Sequence, residues 1–170
     1  LLPKDTPFDA AKLRLALEKH FFVTERLMPP PTSAGARLLV RELREAATKG
    51  PCFAVGVPKM PTMLIAILRP NQDLSSIPGM PSSPALRKLD VTALHTLCLE
   101  QLLGISPEAA KEGALEYDHD TAHALGCARE GTSPAVFFLP PTRIEQVLET
   151  AEAGERMPQK STYFFPQLAS

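Results

Sequence analysis

Neither sign of charge dominates this sequence. Lys and Arg number 18 and Asp and Glu 19, a net charge of −1 over 170 residues. Bulk electrostatics therefore recruits neither nucleic acid nor an anionic membrane. Long apolar runs are missing too. None reaches the roughly 18 residues of a membrane span. The opening stretch, LLPKDTPFDA, lacks a basic leader followed by a long apolar core, so no signal peptide is expected. Cysteine is sparse and odd in number: Cys52, Cys98 and Cys127. Without paired spacing they form neither a disulfide scaffold nor a zinc knuckle, and they read as small hydrophobes. The expected compartment is the cytoplasm. The chain opens on Leu1, and the expectation is one C-terminal domain, residues 1–170, of a longer protein.

Proline is what the sequence has in surplus. There are 18, about one residue in ten and roughly twice the usual share. They gather in MPPPTS (28–33) and IPGMPSSP (77–84), which read as extended loops because proline breaks helices and biases the residue before it. Between these loops the periodicities are ordinary. Asp9 caps a helix in FDAAKLRLALEKH, and HFFV (20–23) is a short strand. GARLLVRELREAATKG is an amphipathic helix with Leu39, Leu43, Ala46 and Ala47 on one face. Its alternating charges mark a solvated surface. CFAVGV (52–57) and TMLIAILR (62–69) are two strands joined by a turn at 58–61.

Asp90 stands where a cap belongs ahead of VTALHTLCLEQLLG, a helix apolar on most sides and hence buried. Ser106 caps a further turn, with Pro107 at its first position. ALEY (114–117) reads as a strand, and Asp118 as the cap of HDTAHALGCAREG. PAVFFL (134–139) is a strand buried on both faces. TRIEQVLETAEAG is a helix expected to turn Ile144, Val147, Leu148 and Ala151 inward. The order α-β-α-β-β-α-β-α-β-α predicts an α+β domain: a mixed sheet with helices packed against it. Residues 20–117 are compatible with a ferredoxin-like βαββαβ unit.

The end of the chain, GERMPQKSTYFFPQLAS (154–170), is nearly a phosphate loop. Gly154, Lys160 and Ser161 fit G-x-x-x-x-G-K-[ST]. Gln159 stands where the second glycine is needed, and Pro158 removes a backbone donor. The loop also follows a helix instead of preceding one. The plainer reading is a helix terminus and then a tail, with Tyr163, Phe164 and Phe165 packed on the sheet. Lys160, Ser161, Thr162 and Tyr163 are the candidates for anion or substrate binding, with one cation and hydroxyl donors among them.

HDTAH (119–123) is one methylene from the H-E-x-x-H zinc motif. On a helix His119 and His123 share a face, and Cys127 extends it. No third ligand is evident, so no metal site is expected, with His119 and His123 as its only candidates. His95 lies on the buried helix near Asp90, where a histidine is more often a packed group than a catalyst. His95 and Asp118 are the candidates for catalysis.

Several stretches in order resemble one bacterial family, called domain of unknown function 1015. MPQKSTYFFPQL is similar to its closing signature, approximately M-P-x-K-S-T-Y-F-Y-P-K-L. LDVTALH (89–95) followed by LLGI, then LEYDHD and VFFLPPTRIEQV, resemble further family segments. The resemblance runs from about 86 to 170. Phe165 replaces a tyrosine of the signature and Gln167 a lysine. Longer members carry an N-terminal region similar to ParB and sulfiredoxin-like nucleotide-binding proteins, some of which phosphorylate free serine. The motif of that region, Asp-Gly-His-His-Arg, does not occur here. The resemblance thus implies a module that completes or gates a nucleotide or phospho-substrate site on its own N-terminal domain, non-catalytic alone and holding no cofactor. The alternatives are an enzyme in its own right, built around His95, Asp118 and Lys160, or a structural module forming a homodimer.

Overall fold

The computed structural model describes residues 1–158 apart from Asp5, Pro7 and Lys59. Four strands form one sheet: β1 (Phe21–Leu27), β2 (Cys52–Gly56), β3 (Thr62–Leu68) and β4 (Val136–Phe138), in the order β1-β3-β2-β4. The fold is α+β, as the element order predicts. The three pairings are all antiparallel, so the expected mixture of strand directions gives way to an antiparallel sheet. The first three strands do form a split βαβ unit, with β3 lying between β1 and β2. The fourth strand departs from the ferredoxin-like expectation twice. It comes from 136–138, not 114–117, and it pairs with β2 instead of β1. Residues 114–117 lack a strand because Ala110–Ala114 is still helical and, among the described residues, Glu116 pairs with the first residue alone. There Glu116 N donates to Leu1 O at 3.0 Å and Leu1 N to Glu116 O at 3.0 Å.

Helices cover both faces of the sheet. On one side lie α1 (Ala10–Leu17) and α4, which begins at Asp90–Thr92 and continues as a wider π-helix, Ala93–Glu100. The core there joins Leu13, Leu17, Phe21, Phe53, Val55, Leu64, Ala66, Leu94, Leu97 and Cys98. On the other side lie α2 (Ser33–Ala47) and α6 (Thr121–Glu130). That core joins Leu39, Leu43, Cys52, Ala54, Met63, Ile65, Leu125 and Ala128. Along β2, Phe53 and Val55 enter the first core while Cys52 and Ala54 enter the second. All five residues of β2 are buried, which is why the strand reads as an unbroken apolar run. Single turns at α3 (Pro84–Arg87) and α5 (Pro107–Ala109, continued by Ala110–Ala114) complete the chain up to α6, and α7 (Ile144–Glu152) follows β4.

The capping predictions hold in part. Asp9 accepts from Ala11 N and Lys12 N, and Ser106 from Ala109 N at 3.1 Å. The first proline loop is fixed by Arg129 of α6, which donates to Met28 O at 2.6 Å and Pro29 O at 3.2 Å. Gly35 is needed beside it, since a Cβ there would lie 2.0 Å from Pro30 O. Asp90 is not a cap. Its carboxylate is buried and accepts from Cys52 N at 2.8 Å and from the Gln146 amide at 3.2 Å. It ties α4 to β2 and to α7.

That tie overturns the expected orientation of α7. Gln146 and Thr150 are its buried residues, while Ile144 is 72% and Leu148 55% exposed. Gln146 also accepts from Arg143 N at 3.1 Å, and Thr150 Oγ1 donates to Gln146 O at 2.7 Å. The polar side of α7 faces in and its apolar side faces out.

Burial raises the Asp90 pKa, and the donors from Cys52 and Gln146 and the nearby Arg143 charge offset this only in part. Asp90→Ala strands two buried donors, each worth about 1–3 kcal/mol, so it should destabilise by roughly 2–6 kcal/mol in urea unfolding. The pH dependence has a definite sign. The folded state holds the Asp90 proton more tightly than the unfolded chain, so wild-type stability falls as pH rises above the ordinary carboxylate pKa of about 4 toward the raised folded value. The penalty of Asp90→Ala should therefore be largest in acid and shrink across that window. A penalty that grows instead would show the carboxylate to be favoured in its charged form.

Candidate functional site

The outer edge of β4 has no strand partner among the described residues. A cavity of about 690 Å³ lies along it. Its walls come from α2 (Leu39, Leu43), from α4 (Asp90, Leu94, His95) and from β4 with the Leu139–Pro141 segment that follows. Ile144 and Val147 of α7 and Met157 close it on one side, and Glu116, Tyr117, Asp118 and His119 on another. Most of the surface is apolar, with a few polar groups converging on it, the common form of a small-molecule site.

His95 is placed there by the shape of α4. From Leu89 to Leu99 all the other residues are buried, and His95 alone is partly exposed. The helix is widened around it. Gln101 N reaches Thr96 O at 3.2 Å and Leu103 N reaches Cys98 O at 3.1 Å, both five residues back. Such π-helical turns cost regular packing and recur at functional sites. Burial pushes the His95 pKa down, so the ring is neutral at pH 7. It makes no side-chain hydrogen bond among the described residues. A neutral imidazole on an apolar wall can exchange one hydrogen bond with a ligand. As a general base it lacks the orienting partner that such chemistry uses.

Asp118 and the two histidines sit differently from their expected places. The helix α6 starts at Thr121, and its cap is Asp120, which accepts from Ala122 N at 2.8 Å and His123 N at 3.2 Å. Asp118 is two residues ahead of that cap and accepts from Asp120 N at 2.8 Å. His119 lies outside the helix, so His119 and His123 do not share a helical face. His119 lines the cavity. His123 instead places Nδ1 2.5 Å from Asp118 Oδ2 and Nε2 3.9 Å from Cys127 Sγ. Among the described residues no three His, Cys, Asp or Glu side chains are grouped to hold a metal ion. The one-methylene likeness to the zinc motif fails because the helix begins two residues too late.

Asp118 is held below the ordinary carboxylate pKa. Burial alone would raise it, but the hydrogen bonds from His123 and from the Asp120 amide outweigh that. His123 is shifted up, first by its hydrogen bond to Asp118 and then by that carboxylate's charge. Lys160, Ser161, Thr162 and Tyr163 lie outside the described residues, as do Phe164 and Phe165. Met157, three residues before Lys160 in sequence, lines the cavity. His95, Asp118 and His119 are thus brought to one cavity. Asp90, Tyr117 and Glu116 join them, and sequence reasoning had given these no place in a site. Comparison with family models, with curated proteins and with solved structures finds no match for this chain. No helix among the described residues is long and apolar enough to cross a membrane.

Zinc retention checks this arrangement. With His119 off the helix and His123 Nδ1 engaged by Asp118, the pair leaves a tetrahedral shell unfilled. Metal analysis after chelation and dialysis should find less than one zinc per chain. Stoichiometric zinc that is lost in His123→Ala would contradict it.

Proposed function

We propose that this chain is a non-catalytic binding module whose cavity takes the apolar part of a nucleotide or phospho-substrate. The phosphate-bearing end is held outside the cavity, by Lys160 and by an N-terminal, ParB- and sulfiredoxin-like domain of the longer protein. Kinase-type chemistry on a small molecule belongs to that whole protein. One observation carries the reading: a single, largely apolar cavity gathers His95, Tyr117, Asp118 and His119. The charge of its walls supports the division of labour. No Lys or Arg is among the described residues lining it, whereas Asp118 and Glu116 are. A phosphate placed there would meet those carboxylates, and the Leu1 ammonium beside them already donates to Glu116 O and is disfavoured in its charged form by burial. The sequence resemblance over 86–170 supplies the expected second domain.

The uncovered apolar face of α7 favours one other reading, a dimer formed by a second copy seated on Ile144 and Leu148. In that case Leu148→Glu converts a sedimenting dimer into a monomer. A monomeric wild type at high concentration removes the reading.

Calorimetry with ATP–Mg²⁺ separates the module from an enzyme in its own right. This chain alone should neither bind ATP with micromolar affinity nor hydrolyse it. The full-length protein should bind it, and His95→Ala should weaken that binding about tenfold, the worth of one ligand hydrogen bond of about 1.4 kcal/mol. Micromolar affinity or turnover by the chain alone would sink the need for a second domain. Full-length affinity untouched by His95→Ala would remove the cavity from the reading.

A further inference from the structure

Three side chains stand in a row beside the cavity: Asp118, which also lines it, then His123 and Cys127, which the binding reading does not use. Asp118 Oδ2 meets His123 Nδ1 at 2.5 Å, and His123 Nε2 faces Cys127 Sγ at 3.9 Å. Both ring nitrogens of His123 are thereby spoken for, one by an anion and one by a thiol. The row is built by the fold. Cys127 follows His123 by one helical turn of α6, so the two share a face. Asp118 is fixed in front of that turn by the Asp120 amide, and Asp120 in turn caps the helix. Cys127 is partly exposed, whereas Cys52 and Cys98 are buried.

We propose that Cys127 is a nucleophile, activated by His123 and positioned through Asp118, that is modified by small disulfides. The step is thiol–disulfide exchange. His123 Nε2 takes the thiol proton, and the Cys127 sulfur attacks one sulfur of the disulfide. A new S–S bond forms to Cys127 and the old S–S bond breaks. The second sulfur leaves with the electron pair and receives the proton back from His123. Asp118 stabilises the imidazolium in between, as an anion does beside any such ring. Thiolate attack is fastest where a cation or imidazolium lowers the cost of the sulfur charge.

The product stops at the mixed disulfide. Cys52 and Cys98 lie in the two cores, and burial drives both thiols toward their protonated forms, Cys52 to about 12. Neither serves as a resolving thiol. The row is therefore a site of reversible modification and not a dithiol redox centre. The charged groups around it are few. His119, Asp118 and the cap Asp120 approach from ahead of α6, and Glu130 from α6 itself. The Leu1 amino group acts on Cys127 from the start of the chain. Acetylating that amino group removes its charge and leaves the His123 row intact.

Dithiodipyridine provides the test, with thiopyridone release followed from pH 5 to 9 and the modified cysteine mapped by mass spectrometry. In the folded protein one equivalent should react fast, at Cys127. At pH about 7.5, where His123 can take the thiol proton, it should outpace free cysteine by up to roughly tenfold, and the advantage should fade toward pH 5 as His123 becomes protonated. His123→Gln should remove that advantage, and Asp118→Asn should reduce it and move its pH midpoint. Both variants carry exposed substitutions, and circular dichroism verifies that they remain folded. Amino-terminal acetylation should leave the His123 dependence in place. Several results would overturn the proposal: a Cys127 rate equal to that of free cysteine at every pH, a rate unchanged by His123→Gln, or a fast equivalent that persists in Cys127→Ser.

Discussion

The buried carboxylate of Asp90 decides how the half of the molecule around the cavity is assembled. Taking an ion out of water costs several kcal/mol unless donors replace the solvent. Cys52 N at the start of β2 and the Gln146 amide on α7 are those donors. Three elements distant in sequence are thereby locked to one atom pair. The orientation of α7 follows from this. Turning its apolar side inward would bury Ile144 and Leu148, at about 1.5–3 kcal/mol each. It would also withdraw Gln146 and leave Asp90 with an unmet oxygen, at a cost of the same order or larger. The polar tie wins, and the apolar side is left facing outward. The same tie holds the first turn of α4, so that His95, just over a turn further on, reaches the cavity.

Legibility in the sequence follows this division. α1, α2 and α6 were readable because each packs an apolar stripe against one core, and β2 and β3 because each is apolar toward both. The unbroken run PAVFFL gave β4 for the same reason. The two cores on either face of β2 account for its lack of alternation. What was not readable depended on long-range polar pairing. Asp90 looks like a cap because it precedes a helix, yet its partners lie 38 and 56 residues away. Leu115–Glu116 looks like a strand, yet among the described residues Glu116 pairs with the first residue of the chain alone. In α7, periodicity predicts the inward face by hydrophobicity, and the buried carboxylate of Asp90 reverses it. The antiparallel position of β4 beside β2 is likewise a matter of tertiary packing that no local pattern encodes.

The candidate site divides along the same lines. His95, Asp118 and His119 could be named from the sequence, but their meeting at one cavity could not, because they belong to different elements. The His119–His123 spacing is misleading in a telling way. It assumes that the helix includes both, and Asp120 ends that assumption by capping the helix between them. The residue freed from the zinc-like pattern, His123, then takes Asp118 on one side and Cys127 on the other. The same geometry that takes His119 off the helix leaves His123 between Asp118 and Cys127.

Asp118 belongs to both arrangements. It lines the cavity and it holds His123. A ligand group that donates a hydrogen bond to its carboxylate, or brings a cation to it, competes with His123 for the same negative charge. The imidazolium then loses part of its stabilisation, and in the proposed exchange the transfer of the Cys127 proton to His123 becomes less favourable. Linkage makes the converse hold: a sulfur capped as a mixed disulfide no longer draws on His123, and the affinity of the cavity for such a ligand changes by the same factor. The size of that coupling is bounded by solvent, because His123 is exposed and its pair with Asp118 is screened accordingly. The cavity and the thiol are therefore joined through one carboxylate, weakly, and in a direction fixed by charge alone.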